Sequence, residues 1–100
     1  YVQGHVDTIS RLVEVENLEE GWNLYFSTPD SIEKYLVEKG FVAVDGISLT
    51  ITEVDSERFG ITIIPETWET TALSELSEGD EVNLEADVMA KYAEKAADLN

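Results

Sequence analysis

Hydrophobic and polar residues alternate along most of this chain, a pattern that predicts a protein built mainly from β-strands. The clearest stretch runs from residue 39 to 54. Phe41–Val44 is a short apolar run, Asp45-Gly46 is a turn dipeptide, and residues 47–52 then alternate aliphatic with hydroxyl side chains. Because side chains of a strand point to opposite faces in turn, this hairpin is expected to present Ser48, Thr50 and Thr52 on one face.

Four further segments have strand-like patterns. Residues 2–15 predict one long first strand, 22–27 an aromatic-rich second strand, 58–64 a strand that ends at Pro65, and 81–86 a last strand. Proline cannot donate to a ladder, so pairing is expected to stop there. The backbone groups near Thr62, Ile64 and Glu66 are then free for water or for the edge of a pyrimidine-like ring.

Two helices are predicted. Thr28 is expected to be the N-cap and Pro29 the first residue of a helix of about ten residues that ends at Gly40 and closes one end of a barrel. A second helix, residues 87–100, has an apolar stripe and is expected to be a linker, an oligomer contact or a surface helix that covers one barrel end. The chain therefore divides into a barrel, residues 1–86, and a C-terminal helix. Residues 66–73 are expected to be irregular or a single helical turn, with Trp68 in the core or at a subunit contact.

Net charge and cysteine content limit the classes of function that this chain can have. The 100 residues include 22 acidic and 6 basic side chains, giving a net charge of −16, which argues against binding of nucleic acid or anionic membranes. Acidity spread along the chain is consistent with either solubility or adaptation to high salt. Cysteine is absent, so disulfides and thiol catalysis are excluded, and a reducing, cytoplasmic location is expected. Since the chain starts at Tyr1, a fragment of a longer protein is also expected.

The candidate site residues have two interpretations at this stage. Ser48 and Thr50 are either ordinary polar residues of a solvated strand or rigid donors and acceptors that hold a polyhydroxy or heteroaromatic ligand. His5 is the sole histidine, and a lone histidine is more often structural than catalytic. One histidine without cysteine provides no transition-metal site.

Four segments together resemble the lumazine-binding repeat of riboflavin synthase. They are Gln3–Asp7, Lys39–Thr50, Ile64–Thr67 with Thr70-Thr71, and Gly79–Glu85. The resemblance implies an all-β fold, a six-stranded antiparallel Greek-key barrel with a short helix and a C-terminal helix. It covers the chain from Gly4 to about Tyr92.

The family resemblance also implies an activity. Riboflavin synthases take two molecules of 6,7-dimethyl-8-ribityllumazine and transfer a four-carbon unit between them, giving riboflavin and a ribitylamino-pyrimidinedione without a cofactor. Family members carry two such repeats and form trimers, in which the first barrel of one subunit meets the second barrel of another. Because first repeats often have cysteine where this chain has Ser48, the chain resembles a second repeat. A noncatalytic lumazine- or flavin-binding module is the alternative, and a protein-interaction barrel without a ligand is a third class.

Carried over by position, the resemblance implies a set of ligand-binding residues. They are Gly4, His5, Val6, Lys39, Ser48, Leu49, Thr50, Thr62, Ile63, Ile64, Pro65, Glu66 and Thr67. His5 is the candidate for proton transfer. Because the partner barrel contributes the rest of the site, the single chain is expected to bind lumazine or riboflavin and to turn over slowly or not at all.

Overall fold

The computed structural model describes residues 8–86, which form a closed barrel of six antiparallel strands. The strands are β1 (Thr8–Leu18), β2 (Gly21–Ser27), β3 (Phe41–Val44), β4 (Ile47–Val54), β5 (Arg58–Ile63) and β6 (Glu81–Ala86). One short helix, α1 (Pro65–Thr70), follows β5, and single 3-10 turns lie at Glu33–Tyr35 and Ala72–Glu75. The predicted all-β barrel is confirmed.

The strands are ordered β1-β2-β5-β4-β3-β6, and β6 pairs with β1 to close the barrel. Consecutive strands β2 and β3 are not neighbours, so residues 28–40 connect them past two intervening strands. This is the Greek-key element of the topology. Closure leaves the barrel without a free sheet edge.

The predicted alternation of residues is observed in the strands. In β4, Leu49 and Ile51 are buried, whereas Ser48, Thr50 and Thr52 are exposed. The barrel interior is filled by aliphatic side chains around Phe26 and Phe59, whose rings stack with centroids 5.6 Å apart. Burial of each such side chain contributes roughly 1.5–3 kcal/mol, so this interior dominates the stability of the barrel.

The Asp45-Gly46 turn forms as predicted. Both residues have positive φ, 49° and 84°, the conformation that a tight two-residue hairpin requires. Asp45 also ties the hairpin to β6, because its N–H donates to the Asn83 carbonyl and its Oδ1 accepts from the Asn83 N–H, both at 2.8 Å. The hairpin is therefore held at its turn as well as along its ladder.

The predicted helix between Thr28 and Gly40 is wrong. Only Glu33–Tyr35 forms a 3-10 turn, and Thr28 caps no helix because its Oγ1 is buried without a partner among the described residues. Instead, the Thr28 N–H donates to the Glu57 carbonyl at 2.9 Å. Ile32 and Leu36 are both buried, as the predicted helical face requires. These two side chains are thus anchored in the barrel by a segment of turns instead of a regular helix.

Strand β1 is confirmed from Thr8 onward and extends to Leu18, with an irregular register between Leu12 and Glu14. The predicted strand residues before Thr8 and the predicted C-terminal helix lie outside the described residues. Residues 66–73 contain the expected helical turn as part of α1, and a second 3-10 turn follows it. The one α-helix among residues 8–86 is therefore α1, after β5, whereas the short helix was predicted after β2.

We expect Gly21→Ala to be one of the most destabilising single changes in the barrel. Gly21 has a φ of 149°, and an added Cβ would collide with the Ile63 carbonyl oxygen. Gly46→Ala is the matched control, since Gly46 also has positive φ but open space around it. Left-handed strain costs about 1 kcal/mol, and we expect the backbone collision to add roughly 2 kcal/mol more. Urea denaturation measures both variants, and equal losses of unfolding free energy would contradict the close approach at Gly21.

Candidate ligand-binding site

The ladder between β4 and β5 ends early. Its pairs run from Val54 opposite Phe59 to Ile51 opposite Ile61. Beyond that point β4 continues to pair only with β3, as far as Ile47, and β5 only with β2, as far as Ile63. Residues 47–50 of β4 and residues 62–63 of β5 therefore form no ladder pairs with each other, and we call this unpaired stretch the gap.

Backbone polar groups line this gap. The Ile51 N–H donates to the Gly40 carbonyl and the Ile51 carbonyl accepts from the Lys39 N–H, so both groups point toward β3. Because successive residues of a strand direct these groups to alternate sides, those of Thr50 and Ser48 point toward β5. The same alternation places the backbone groups of Thr62 toward β4. Because the Ile51 groups turn away from β5, the last pair, Ile51 with Ile61, is a non-hydrogen-bonded pair, and Thr50 and Thr62 beside it stand at the end of the ladder. Ser48 is then the first residue of β4 whose backbone groups face β5 beyond the ladder.

Hydroxyl and apolar side chains surround the gap on the outer surface. Ser48, Thr50 and Thr62 are exposed there. Phe41 lies directly opposite Thr50 in the ladder and is 51% exposed, while Ile64 at the end of β5 is 56% exposed. Such a combination of short hydroxyls, open backbone and two apolar side chains suits a planar heteroaromatic ring that carries polar groups.

Helix α1 begins directly at the end of β5. Its hydrogen bonds change which backbone groups of residues 64–67 are available to a ligand. The Ile64 carbonyl accepts from the Trp68 N–H at 3.0 Å, the Glu66 carbonyl from Thr70 Oγ1 at 2.8 Å, and the Thr67 carbonyl from Thr71 Oγ1 at 2.7 Å. These carbonyls are therefore already engaged. The N–H groups of the first helical turn have no acceptor within the helix, so they are the available backbone donors of this segment.

A pair of tryptophans fixes α1 against the barrel. Trp22 of β2 and Trp68 of α1 stack with ring centroids 4.2 Å apart and an interplanar angle of 10°. Trp22 is also the ladder partner of Ile63, the last residue of β5. The stack therefore holds the helix beside the strand end from which residues 64–67 emerge.

Apart from Lys39, the sequence-predicted site residues divide into three groups. Ser48, Thr50, Thr62 and Ile64 meet around the gap, and Pro65, Glu66 and Thr67 follow it in α1. Leu49 and Ile63 are buried, 8% and 1% exposed, so only their backbones face a ligand. Gly4, His5 and Val6 lie outside the described residues.

Lys39 lies two residues before Phe41, at the end of the β3–β4 hairpin that is opposite the Asp45-Gly46 turn. Its φ is 70°, and its N–H donates to the Ile51 carbonyl at 2.7 Å. The side chain is exposed. Its backbone therefore has a structural role at the start of β3, and a contact of its ammonium group with a ligand stays a prediction.

Sequence reasoning missed two residues near the gap, Phe41 and Asn23. The signal for Phe41 was available, because Val42 and Val44 are the inward residues of the apolar run 41–44, which leaves an aromatic ring on the outer face. Asn23 gave no signal, because its contact with Thr62 depends on the pairing of β2 with β5. Thr62 Oγ1 donates to Asn23 Oδ1 at 2.6 Å, and Asn23 Nδ2 donates to Glu16 Oε1 at 2.8 Å.

The charged side chains near the contacts of Glu16, Asn23 and Thr62 are mostly acidic. The Tyr25 hydroxyl lies 3.4 Å from Glu16 Oε1. Burial raises the pKa of Tyr25, and the negative charges of Glu16 and Glu53 raise it further, so its hydroxyl stays protonated as a donor. Arg58 lies over the Tyr25 ring at 4.2 Å and pairs with Glu14 at 2.7 Å.

Two further findings concern residues 8–86. Within that range no group of three His, Asp or Glu side chains is arranged to hold a metal ion. No helix in the same range is long and apolar enough to cross a membrane.

Comparison with known proteins agrees with this geometry. The family model of the lumazine binding domain matches residues 3–87. The riboflavin synthase of Photobacterium phosphoreum is 40% identical over 94 residues, which cover 94% of this chain and 43% of that protein. That of Schizosaccharomyces pombe is 41% identical over 101 residues, covering 100% of this chain and 49% of the relative. The chain belongs to the lumazine-binding domain family.

Solved structures show the same fold. The crystal structure of LumP complexed with 6,7-dimethyl-8-(1'-D-ribityl) lumazine superposes with a TM-score of 0.80 at 20% identity, covering 86% of this chain and 49% of that chain. LumP complexed with riboflavin gives a TM-score of 0.79, with 87% of this chain and 47% of that chain covered. The chain thus spans about half the length of the curated relatives and of these structures.

We expect Trp68→Ala to release α1 from the barrel. The change removes the stack on Trp22 together with part of the contact between α1 and β2, and it should lower the free energy of unfolding by about 2 kcal/mol. It should also abolish the exciton couplet that two stacked indoles give in circular dichroism. Trp68→Phe is the control for ring packing, since it keeps a stacked ring without the indole pair. A couplet that persists in the alanine variant would rule out the stack as its source.

Proposed function

We propose that this chain is the second lumazine-binding barrel of a riboflavin synthase, which binds 6,7-dimethyl-8-ribityllumazine for dismutation of two such molecules. The products are riboflavin and 5-amino-6-ribitylamino-pyrimidinedione. The observation that carries the proposal is the early end of the β4–β5 ladder beside the exposed hydroxyls of Ser48, Thr50 and Thr62. Family membership over residues 3–87 supports the same ligand class.

The ligand groups match the groups at the gap. A pyrimidinedione ring has alternating N–H and C=O groups along its edge, and paired backbone donors and acceptors can satisfy such an edge. Ribityl hydroxyls both donate and accept, as do the Ser48 and Thr50 hydroxyls. The exposed Phe41 and Ile64 side chains provide apolar contact for the ring system. Each of these contacts replaces water with a complementary group.

One barrel provides only part of the proposed reaction. Proton removal from the 7-methyl group of one lumazine needs a base, and both ring systems must be held close together. Within residues 8–86, the groups at and next to the gap are hydroxyls, backbone amides, apolar side chains and the Glu66 carboxylate, and we assign them to binding and orientation of the ligand. His5 is the proposed proton-transfer residue. We therefore place the active site between this barrel and the first barrel of the same or another subunit, in a cytoplasmic homotrimer.

The same observation also fits a noncatalytic lumazine- or flavin-binding module, because a site of hydroxyls and backbone groups is sufficient for binding alone. Incubating the complete protein that carries this chain with dimethylribityllumazine separates the two functions. Formation of riboflavin supports the synthase. Tight binding of the lumazine without riboflavin formation supports the module, and the isolated chain is expected to bind with little or no turnover.

We expect the double change Ser48→Ala and Thr50→Ala to weaken binding of riboflavin or dimethylribityllumazine. Each lost hydrogen bond contributes about 1 kcal/mol, so two lost bonds correspond to a roughly 30-fold rise in Kd. Quenching of ligand fluorescence during titration of the chain measures the change.

Thr52→Ala is the matched control for this double variant. Thr52 lies on the same outer face of β4, but its Oγ1 donates to the Gly60 carbonyl at 3.1 Å in the closed part of the ladder. Its replacement should leave the Kd within about twofold of the unchanged chain, a difference of about 0.4 kcal/mol. Equal affinities of the double variant and the unchanged chain would remove Ser48 and Thr50 from the site.

A further inference from the structure

Glu16, Asn23 and Thr62 form one row across three adjacent strands. Glu16 of β1 is the ladder partner of Asn23 of β2, and Asn23 is the ladder partner of Thr62 of β5. Their side chains are joined in sequence by the 2.8 Å bond from Asn23 to Glu16 and the 2.6 Å bond from Thr62 to Asn23. The row starts at a carboxylate and ends at a hydroxyl beside the gap.

The direction of both hydrogen bonds follows from the carboxylate. An ionised Glu16 only accepts hydrogen bonds, so the Asn23 amide must turn its NH₂ group toward Glu16. Its carbonyl oxygen then faces Thr62. Since that oxygen only accepts, the Thr62 hydroxyl must donate its single proton to Asn23.

Tyr25 provides a second hydrogen-bond donor to Glu16. Its hydroxyl lies 3.4 Å from the same Glu16 oxygen and stays protonated, because burial and neighbouring carboxylates raise its pKa. Glu16 therefore faces two donors, Asn23 and Tyr25.

We infer that Glu16, acting through Asn23, holds the Thr62 hydroxyl as an acceptor toward the gap and so selects ligands that present an N–H or O–H donor there. Glu16 and Asn23 are positioning residues, and Thr62 is the group that contacts the ligand. A ring N–H or a ribityl hydroxyl is the chemical group that this arrangement accepts. The inference rests on the proposed binding function and adds a determinant of specificity to it.

The test uses the 100-residue chain and riboflavin, with affinity measured by quenching of flavin fluorescence. In Glu16→Gln the new amide can donate as well as accept, so Asn23 can turn and Thr62 loses its fixed direction. We expect the Kd for riboflavin to rise three- to tenfold. Glu14→Gln is the control, because Glu14 lies on the same strand and pairs with Arg58 instead.

A second variant restores the direction without restoring the original residues. In the double variant Glu16→Gln with Asn23→Asp, the glutamine NH₂ donates to the aspartate, and the aspartate accepts from Thr62. The net charge equals that of the unchanged chain. We expect the Kd to return to within twofold of the original value, a recovery that a merely structural role of Glu16 does not predict.

Thr62→Val completes the set, since it removes the acceptor itself. Affinity should fall, and adding Glu16→Gln to this background should have no further effect, because no hydroxyl remains to be oriented. Denaturation midpoints of all variants check that binding is compared between folded proteins.

The possible results of these binding measurements distinguish the orienting role of Glu16 from the proposed binding function. Unchanged affinity in Glu16→Gln, failure of the double variant to recover, or an equal loss in Glu14→Gln would overturn the orienting role while leaving lumazine and riboflavin binding in place. Failure of the unchanged chain to bind riboflavin or dimethylribityllumazine would instead overturn the proposed function, and this inference with it. Loss in Glu16→Gln with recovery in the double variant supports it.

Discussion

The rest of this barrel depends on the β4–β5 ladder. The ladder closes the sheet on one side, and its early end leaves the gap of the candidate site. Its last pair is Ile51 with Ile61. Pro65 cannot donate to a continuing ladder, and α1 draws the chain away from β4 immediately after Ile64. The Trp22–Trp68 stack holds that departure in place. The end of β5 and the start of α1 thus lie beside the residues at which β4 and β5 no longer pair.

The two surfaces of the sheet have separate tasks. The inner surface is aliphatic and provides stability through burial, with Phe26 and Phe59 at its centre. The outer surface carries the polar row from Glu16 to Thr62, and Thr50 with Phe41 lie across the gap from it. Because strand side chains alternate between faces, Ser48 and Thr50 can be exposed to a ligand while Leu49 between them stays in the core.

Family membership and half-length coverage fit the same picture. A barrel of this size provides one gap with binding groups on one side, whereas joining two bound ring systems requires a second surface. The curated relatives are about twice as long as this chain. The proposed reaction thus assigns binding and orientation to the residues described here, and proton transfer to His5 and a facing barrel.

The sequence by itself determined the hairpin around Asp45-Gly46, the strand end at Pro65 and the exposed hydroxyls of β4, because period-two alternation and turn chemistry act locally. Family motifs then predicted the closed barrel. The segment from Thr28 to Gly40 shows the limit: its capping pattern predicts a helix, but the segment forms turns that still bury Ile32 and Leu36, because tertiary contacts override local helix signals. Only the tertiary structure revealed the contacts of Asn23 with Glu16 and Thr62, since they depend on the register of three strands, of which β5 is far from the other two in sequence. It also decided which backbone groups of residues 62–67 are open, because α1 engages the carbonyls that a strand end would leave free.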